Sequence, residues 1–380
     1  MEKVGKNYCI FTAVYFPHLG GLEWYTYNLA KKLVERGNRV TVIASRLEGL
    51  PKEESIGDIP IYRVPCWELL NGRYPIIKPS KELKEAEKFI HDQKFDRFIV
   101  NTRFYMHSIW AVKLARKEKV PYFVLEHGTS HLSVDNPILD KIGAVYEHMH
   151  TAFLKMLCKD FYGTCEACND WLAHFGIKSK GTFYNAIDIE QVQEGLALPA
   201  IYRKKYQIPE EALVLTFTGR ILPEKGIMPL IEAVKRINNS DKKVYLFIAG
   251  EGPLDSYVQK NKDDYIIPLG RISHEEVFRL LGESDIFCLP SFSEAFCGAV
   301  LEAVACKCYV ITTARGGSKE LISSDELGTI LPDNKENTVY QGIKDVIDHW
   351  DSKKEAVEKV YRILIQNFTW DITAEHIENL

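Results

Sequence analysis

No window of this sequence approaches the roughly 18 consecutive apolar residues of a membrane-spanning helix. Nor is there an excess of positive charge. The 48 Lys+Arg stand against 52 Asp+Glu, a formal net charge of −4, which argues against a nucleic-acid binder. Long polar and low-complexity tracts are missing too, so the chain reads as globular throughout. The phosphate loop G-x-x-x-x-G-K-[ST] is absent, and Gly250-x-Gly252 lacks the third glycine of a dinucleotide fingerprint. No D-x-D triplet offers to hold a divalent ion against a nucleotide diphosphate; the nearest approach is Asp188-Ile-Glu190. A diphosphate leaving from this protein would therefore be stabilised by cationic side chains and helix dipoles.

The nine cysteines are odd in number and scattered, which fits a reducing cytoplasm. Zinc held by Cys165-x-x-Cys168 with Cys306-x-Cys308 is the sharpest metal reading, but the second C-x-x-C that would make it strong is missing. No resident metal or cofactor is expected. The opening MEKVGKNYCIFTAVYF has a short apolar run broken by tyrosine and cysteine, without a small-residue cleavage site. It reads as a first strand rather than a signal peptide.

What is present is a repeated rhythm. NYCIFTAVYF, RVTVIAS, FDRFIVNT and PYFVLEH are strand-like and alternate with helix-like segments such as WYTYNLAKKLVERG and SIWAVKLARKEK. The pattern restarts at LVLTFTGR, VYLFIAG, SDIFCLPS and CYVITTA, with a break near YNAIDIEQV. Two α/β Rossmann-like domains with a cleft between them follow, of about 1–188 and 189–365. A division near residue 190 gives 26 Lys+Arg against 23 Asp+Glu before it and 22 against 29 after it, or +3 and −7. The first part would tolerate an anionic surface or acceptor better.

Ligands of such sheets bind beyond the carboxyl ends of the strands. There Gly20 and Gly21 precede a helix whose N-terminus could face an anion. His127, followed by glycine, closes the fourth strand; His18, His107 and His131 also lie near strand ends, and spacing does not rank them. Arg220 and Lys225 flank a proline turn after LVLTFTGR, two cations suited to a diphosphate. Glu294 falls in a strand-to-helix loop, and Glu302 stands alone in the apolar run GAVLEAVAC. An unpaired carboxylate there is costly, so sugar or ribose hydroxyls are its expected partners.

These residues bear a resemblance. PSFSEAFCGAVLEAVACKCYVITTARGGSKELI resembles the E-x7-E region of the retaining GT-B glycosyltransferases of glycosyltransferase family 4. FPHLGGLEWYTYNLAKKLVERGNRVTVIA, LEHG, FYNAIDIE, TGRILPEKG and LGRISHEEVFRLLGESDIFCLPS resemble further segments in the family's order. NFTWDITAEHIENL resembles its last helix, about 366–380, which crosses back to the N-terminal domain.

The resemblance implies a metal-independent transfer of a sugar from a nucleotide-diphosphate sugar, UDP or GDP, to a hydroxyl of a glycan or lipid-linked glycan. Glu294 would contact donor-sugar hydroxyls, and the backbone of Phe296, Cys297 and Gly298 would lie near sugar and phosphate. Glu302 would bind the ribose. Arg220 and Lys225, in the Gly219-Arg220 to Lys225 loop, would neutralise the diphosphate, and Gly20–Gly21 would approach it from the other domain. His127 would sit near sugar and acceptor; Arg271–Ile272 would meet the base, with Gly250 on the donor side. Cys297, Gly298, Lys307-Cys308-Tyr309 and Asn185-Ala186-Ile187-Asp188 depart from the family pattern.

A cytoplasmic location, with peripheral contact at the inner membrane face, is implied as well. From the residues alone, SKELKEAEKFIHDQ reads as an ordinary amphipathic surface helix and TAFLKMLCK as core rather than a lipid groove. The rival classes are a sugar-nucleotide epimerase of the same architecture and a non-catalytic Rossmann-type nucleotide-binding protein. Product analysis separates the first, and a response to NAD would favour the second.

Overall fold

A computed structural model describes residues 5–18, 20–132, 136–240, 243–292 and 294–380 of the chain. It divides into two compact units, residues 1–185 with 370–380 and residues 186–369.

The first unit holds β1 (Asn7–Thr12), β2 (Arg39–Arg46), β3 (Glu53–Ile56), β4 (Ile59–Leu69), β5 (Tyr74–Ile77), β6 (Arg97–Asn101), β7 (Tyr122–Glu126) and β8 (Phe161–Gly163). The sheet order is β3-β4-β2-β1-β6-β7-β8, with β5 paired to β4. It is parallel except for β3 and β5, which run antiparallel to β4. Its helices include α1 (Gly21–Glu35), α2 (Lys81–Gln93), α3 (Met106–Glu118), α4 (Pro137–Leu157) and α5 (Glu166–His174). β1 is buried along its whole length, as a central parallel strand covered on both faces must be. The apolar face of α2 goes into the core through Ala86 and Ile90, with Leu83 and Phe89 packed beside them. The chain's last helix, Trp370–Glu378, returns to this unit. Trp370 lies edge-on to Tyr25 of α1 at 5.0 Å, and Arg36 pairs with Glu378 at 3.0 Å.

The second unit is a wholly parallel sheet of β9 (Leu213–Thr218), β10 (Val244–Ala249), β11 (Ile266–Gly270), β12 (Ile286–Leu289), β13 (Tyr309–Thr313) and β14 (Thr329–Leu331), in the order β11-β10-β9-β12-β13-β14. The order reverses between β1 and β6 in the first sheet and between β9 and β12 in the second. Crevices open beyond the strand ends at such reversals. The loops that follow β9 and β12 are the ones that carry Arg220, Lys225 and Glu294.

Candidate functional site

The two loops at the second reversal are pinned to each other. Gly226, at φ 73, ends a 3-10 turn (Pro223–Lys225) and starts the helix Ile227–Asn238; a Cβ there would stand 2.2 Å from the Pro290 carbonyl oxygen. The Glu224 carbonyl accepts from the Phe292 amide at 2.9 Å and from Ser291 Oγ at 3.0 Å. On the far side the Gly317 amide donates to the Ala295 carbonyl at 2.6 Å. This lacing brings Lys225 Nζ to Glu294 Oε1 at 2.5 Å, across 69 residues of chain. Burial works against the ammonium, but Cys297, Glu294 and Glu224 together outweigh it and the net shift is upward. The Cys297 thiol is itself pushed up to about 12, chiefly by burial, so near neutral pH it carries no charge and Glu294 is the partner that matters. An ammonium has three donors and the pair uses one.

Arg220 is exposed, and its guanidinium has no partner among the described residues. Next to it in the chain, the strand ends are laced together. The Gly219 amide donates to the Ala249 carbonyl at 3.0 Å and the Gly250 amide to the Gly270 carbonyl at 2.8 Å. Gly250 has φ 146, and a Cβ on it would lie 1.8 Å from the Gly219 oxygen, so only glycine fits. A Cβ on Gly298 would meet nothing within 4 Å and its φ is ordinary. Neither packing nor backbone conformation within the chain requires that glycine. It opens the helix Gly298–Ala305, whose N-cap, Cys297, makes no side-chain cap. Phe296 is buried against Phe368 at 5.4 Å. Arg271 pairs in solvent with Glu251 at 3.2 Å, and Ile272 packs on the cluster around Tyr202 and Phe247.

Glu302 requires a correction. Its carboxylate is not left for an outside hydroxyl to satisfy, because His274 Nε2 meets Oε1 at 2.9 Å. Burial works against the His274 charge, and the hydrogen bond and field of Glu302 outweigh it, so the imidazole pKa is raised. The argument from an unpaired buried acid therefore fails; a ligand at Glu302 would join an existing pair.

In the first unit, His127 Nε2 lies 3.1 Å from Asn101 Oδ1, and its ring stands edge-on to Tyr25 of α1 at 4.8 Å. The imidazole keeps some exposure, yet burial holds its pKa well down, so at neutral pH the ring is uncharged and can offer only hydrogen bonds. Gly20 caps α1 with Gly21 as its first residue. That helix end already carries a carboxylate: Glu23, buried in the first turn and paired with His18 at 3.1 Å.

Sequence reasoning passed over a buried charge network here. Arg103, two residues past β6, sits between Glu126 (Nε–Oε2 2.7 Å) and Glu147 (Nη2–Oε1 2.6 Å) and over the Phe175 ring at 3.8 Å. Glu126 Oε1 in turn accepts from the His127 and Gly128 amides at 3.0 and 2.8 Å. The strand-end rule that singled out His127 points equally to Arg103. For His274 the signal was Ser273-x-x-Glu276, a capping box that places a histidine at the helix start.

The two cysteine pairs lie in different units, and among the described residues neither belongs to a group that could hold a metal ion. Cys165 and Cys168 are buried in the first unit and Cys306 and Cys308 in the second, the latter two donating to the Phe278 and Leu281 carbonyls. TAFLKMLCK is core only in part: Leu154 is buried, whereas Phe153 and Met156 are exposed.

Residues 19–191 match the family described as Glycosyltransferase Family 4, and residues 200–362 match Glycosyl transferases group 1. An uncharacterized glycosyltransferase of Methanocaldococcus jannaschii is 22% identical over 95% of this chain and 94% of its own length. The gpi3 subunit of the phosphatidylinositol N-acetylglucosaminyltransferase of Schizosaccharomyces pombe is 23% identical over 96% of this chain and 78% of its own. The crystal structure of Anabaena HepE in complex with UDP-glucose superposes with a TM-score of 0.72 at 15% identity, covering 98% of both chains. With both halves matched in order and the fold shared, the chain is a GT-B glycosyltransferase of the family 4 and group 1 type.

Proposed function

We propose that the enzyme transfers a sugar from a nucleotide-diphosphate sugar, a UDP-sugar first among them, to a hydroxyl of a lipid-linked glycan, retaining the anomeric configuration and using no metal. The observation that carries the donor side is the Lys225–Glu294 pair, with Arg220 five residues before Lys225, exposed and without a partner among the described residues. In this reading the bond between the anomeric carbon and the phosphate oxygen breaks while Arg220 and Lys225 take up the developing charge. The acceptor oxygen bonds to the same carbon from the same face, and its proton passes to the departing phosphate. Catalysis is then positioning plus preorganised charge.

Glu294 holds sugar hydroxyls, and Glu302, steadied by His274, holds the ribose. The amides at Phe296, Cys297 and Gly298 lie along the phosphate, with Gly219 and Gly250 forming the floor and Arg271–Ile272 at the base. His127 orients sugar and acceptor as a neutral donor or acceptor of hydrogen bonds. Gly20–Gly21 contributes least, since Glu23 already occupies that helix end. The UDP preference draws on HepE, solved with UDP-glucose.

For the acceptor, support comes from α4. Ile138, Ile142, Val145, Met149 and Met156 form one exposed apolar stripe, Ile138 and Met149 being 72% and 70% exposed. Beside it a cavity of about 330 Å³ is lined by Leu70, Tyr74, Phe104 and Ile142. No described helix is long and apolar enough to cross a membrane, so acyl chains would be met from the membrane surface at the cytoplasmic face. Sedimentation with anionic vesicles that survives Ile142→Glu/Met149→Glu would sink this acceptor side.

The donor test is a thermal-shift panel of UDP-, GDP-, ADP- and CDP-sugars with EDTA present. A ligand at a hundred times its dissociation constant adds about 2.7 kcal/mol of stability. One nucleotide should shift wild type and much less Glu302→Ala; a shift that needs added divalent ion would overturn metal independence. Product NMR that finds the inverted anomer would overturn retention.

A further inference from the structure

In the first unit, among residues not assigned to the donor, three histidines converge. His131 lies in the loop after β7, His148 midway along α4, and His174 ends α5. One ligand nitrogen from each lies within 4.8 Å of the other two, and among the described residues this is the only such group of histidine, cysteine and acidic side chains. The ring centroids are 5.5, 5.6 and 5.1 Å apart. Three separate elements supply them.

Their surroundings are those of ligands already aimed. His131 Nδ1 meets Glu147 Oε2 at 2.5 Å, and the other oxygen of Glu147 is held by Arg103. With Nδ1 donating to that fixed carboxylate, the lone pair of His131 is left on Nε2. A carboxylate behind a histidine is the usual way a metal-ligating tautomer is set. His174 stacks on Trp171 at 4.7 Å with 4° between the planes. The nitrogens of His148 and His174 have no hydrogen-bond partner among the described residues, and both side chains are exposed.

We propose that His131, His148 and His174 bind one divalent late-transition cation of the zinc class, with Glu147 as the outer partner of His131 and a water in the fourth position. An all-imidazole set suits zinc, cobalt, nickel or copper and disfavours magnesium and calcium, which want oxygen. Zinc–nitrogen bonds of 2.0–2.1 Å place tetrahedral ligand atoms about 3.4 Å apart, so the rings must draw in by about 1.4 Å. His148 and His174 are free to do so. The ion would staple the loop after β7 to α4 and α5. That loop begins at His127, whose amide hangs on Glu126, and Arg103 joins Glu126 to Glu147. The site is thus a structural clasp behind the acceptor-side loop, independent of how the diphosphate is neutralised.

The test uses the full chain stripped with EDTA and dialysed, then titrated with Co²⁺ and followed by its visible d–d absorption, with Zn²⁺ added to displace it. The expected result is one saturable equivalent without a thiolate charge-transfer band, its affinity cut at least tenfold in His148→Ala and again in His174→Ala. His91→Ala, outside the cluster, should leave the titration unchanged. Circular dichroism and metal-free melting identical to wild type would establish that the two exposed-site variants fold. No saturable binding at micromolar ion overturns the proposal, as does binding retained by the double variant or a thiolate band that assigns the ion to cysteine. Donor-sugar thermal shifts measured on the stripped protein stand apart from every one of these outcomes.

Discussion

The two sheets put charge at the same topological place and use it in opposite ways. Past the reversal of the first sheet, Arg103 is 1% exposed and closed between Glu126 and Glu147, each 2% exposed. Past the reversal of the second, Arg220 is exposed without a partner among the described residues, and Lys225 spends one of its three donors on Glu294. In the first unit the strand-end cation finds its anions inside the protein and braces the loop that carries His127. In the second the cations have fewer anions among the described residues than they can serve, which leaves capacity for the diphosphate proposed above. Position in the fold marks where chemistry is possible, and satisfaction of the charges separates scaffold from site.

The sharpest way to break this comparison is to remove each cation. Arg103→Ala strands two buried carboxylates and should cost about 3–5 kcal/mol of stability, read as a lowered urea midpoint. Arg220→Ala should leave stability within about 0.5 kcal/mol, yet lower kcat by about 10²–10³, equivalent to roughly 2.7–4 kcal/mol of transition-state stabilisation. Lys225→Ala should match that loss of rate, with a stability cost smaller than that of Arg103→Ala. An Arg220→Ala enzyme with full turnover would leave the strand ends of the second sheet as structural as those of the first.

Acid separates the units in a second way. Burial pushes the imidazoles of His107 down to about 3 and His150 down to about 4. The unfolded chain, at about 6.5, then takes up protons that these folded sites refuse, so stability is lost as pH falls below about 6.5. At pH 5 each site costs about 2 kcal/mol, at 1.36 kcal/mol per unit. His274 has the opposite sign: its folded pKa is raised, so its pairing with Glu302 stabilises below about 6.5 and fades as pH rises through the folded value. Hydrogen exchange at pH 5 and 7.5, corrected for intrinsic rates, should show β6, β7 and α3 losing protection on acidification while the His274–Gly282 helix holds or gains. Equal responses would refute the assignment of sign.

Much of this was legible in the sequence, for physical reasons. The eight strands read from apolar runs are all present, because a parallel strand buried on both faces has no polar alternation to disguise it. The strands that went unread, β3, β4, β5, β8, β11 and β14, are short, lie toward a sheet edge, or carry proline inside, as IPIYRVPCWEL and IIPLG do. The cations and acids at the strand ends announced themselves by type and place. Their partners did not: His274 to Glu302, Lys225 to Glu294 and Glu147 to Arg103 are joined only once the chain has folded. In the sequence Glu302 looks like a carboxylate without a partner, because that partner stands 28 residues away on another helix.

Two glycines offer the finest probe of scaffold against site. Gly250 has φ 146 and no room for a Cβ, whereas Gly298 has ordinary φ and open space. Gly250→Ala should destabilise by more than about 1 kcal/mol, since alanine resists positive φ and the methyl would strike the Gly219 carbonyl. Gly298→Ala should be neutral or stabilise by about 0.4–1 kcal/mol, because it stiffens the unfolded chain and meets nothing in the folded one. If the space above Gly298 belongs to sugar and phosphate, that added methyl should still raise the donor KM by roughly tenfold, the equivalent of 1.4 kcal/mol. A more stable protein that binds its donor less well is an outcome no packing role for Gly298 produces. Unchanged KM in Gly298→Ala would move the donor off this helix and leave Arg220 without the ligand argued for it.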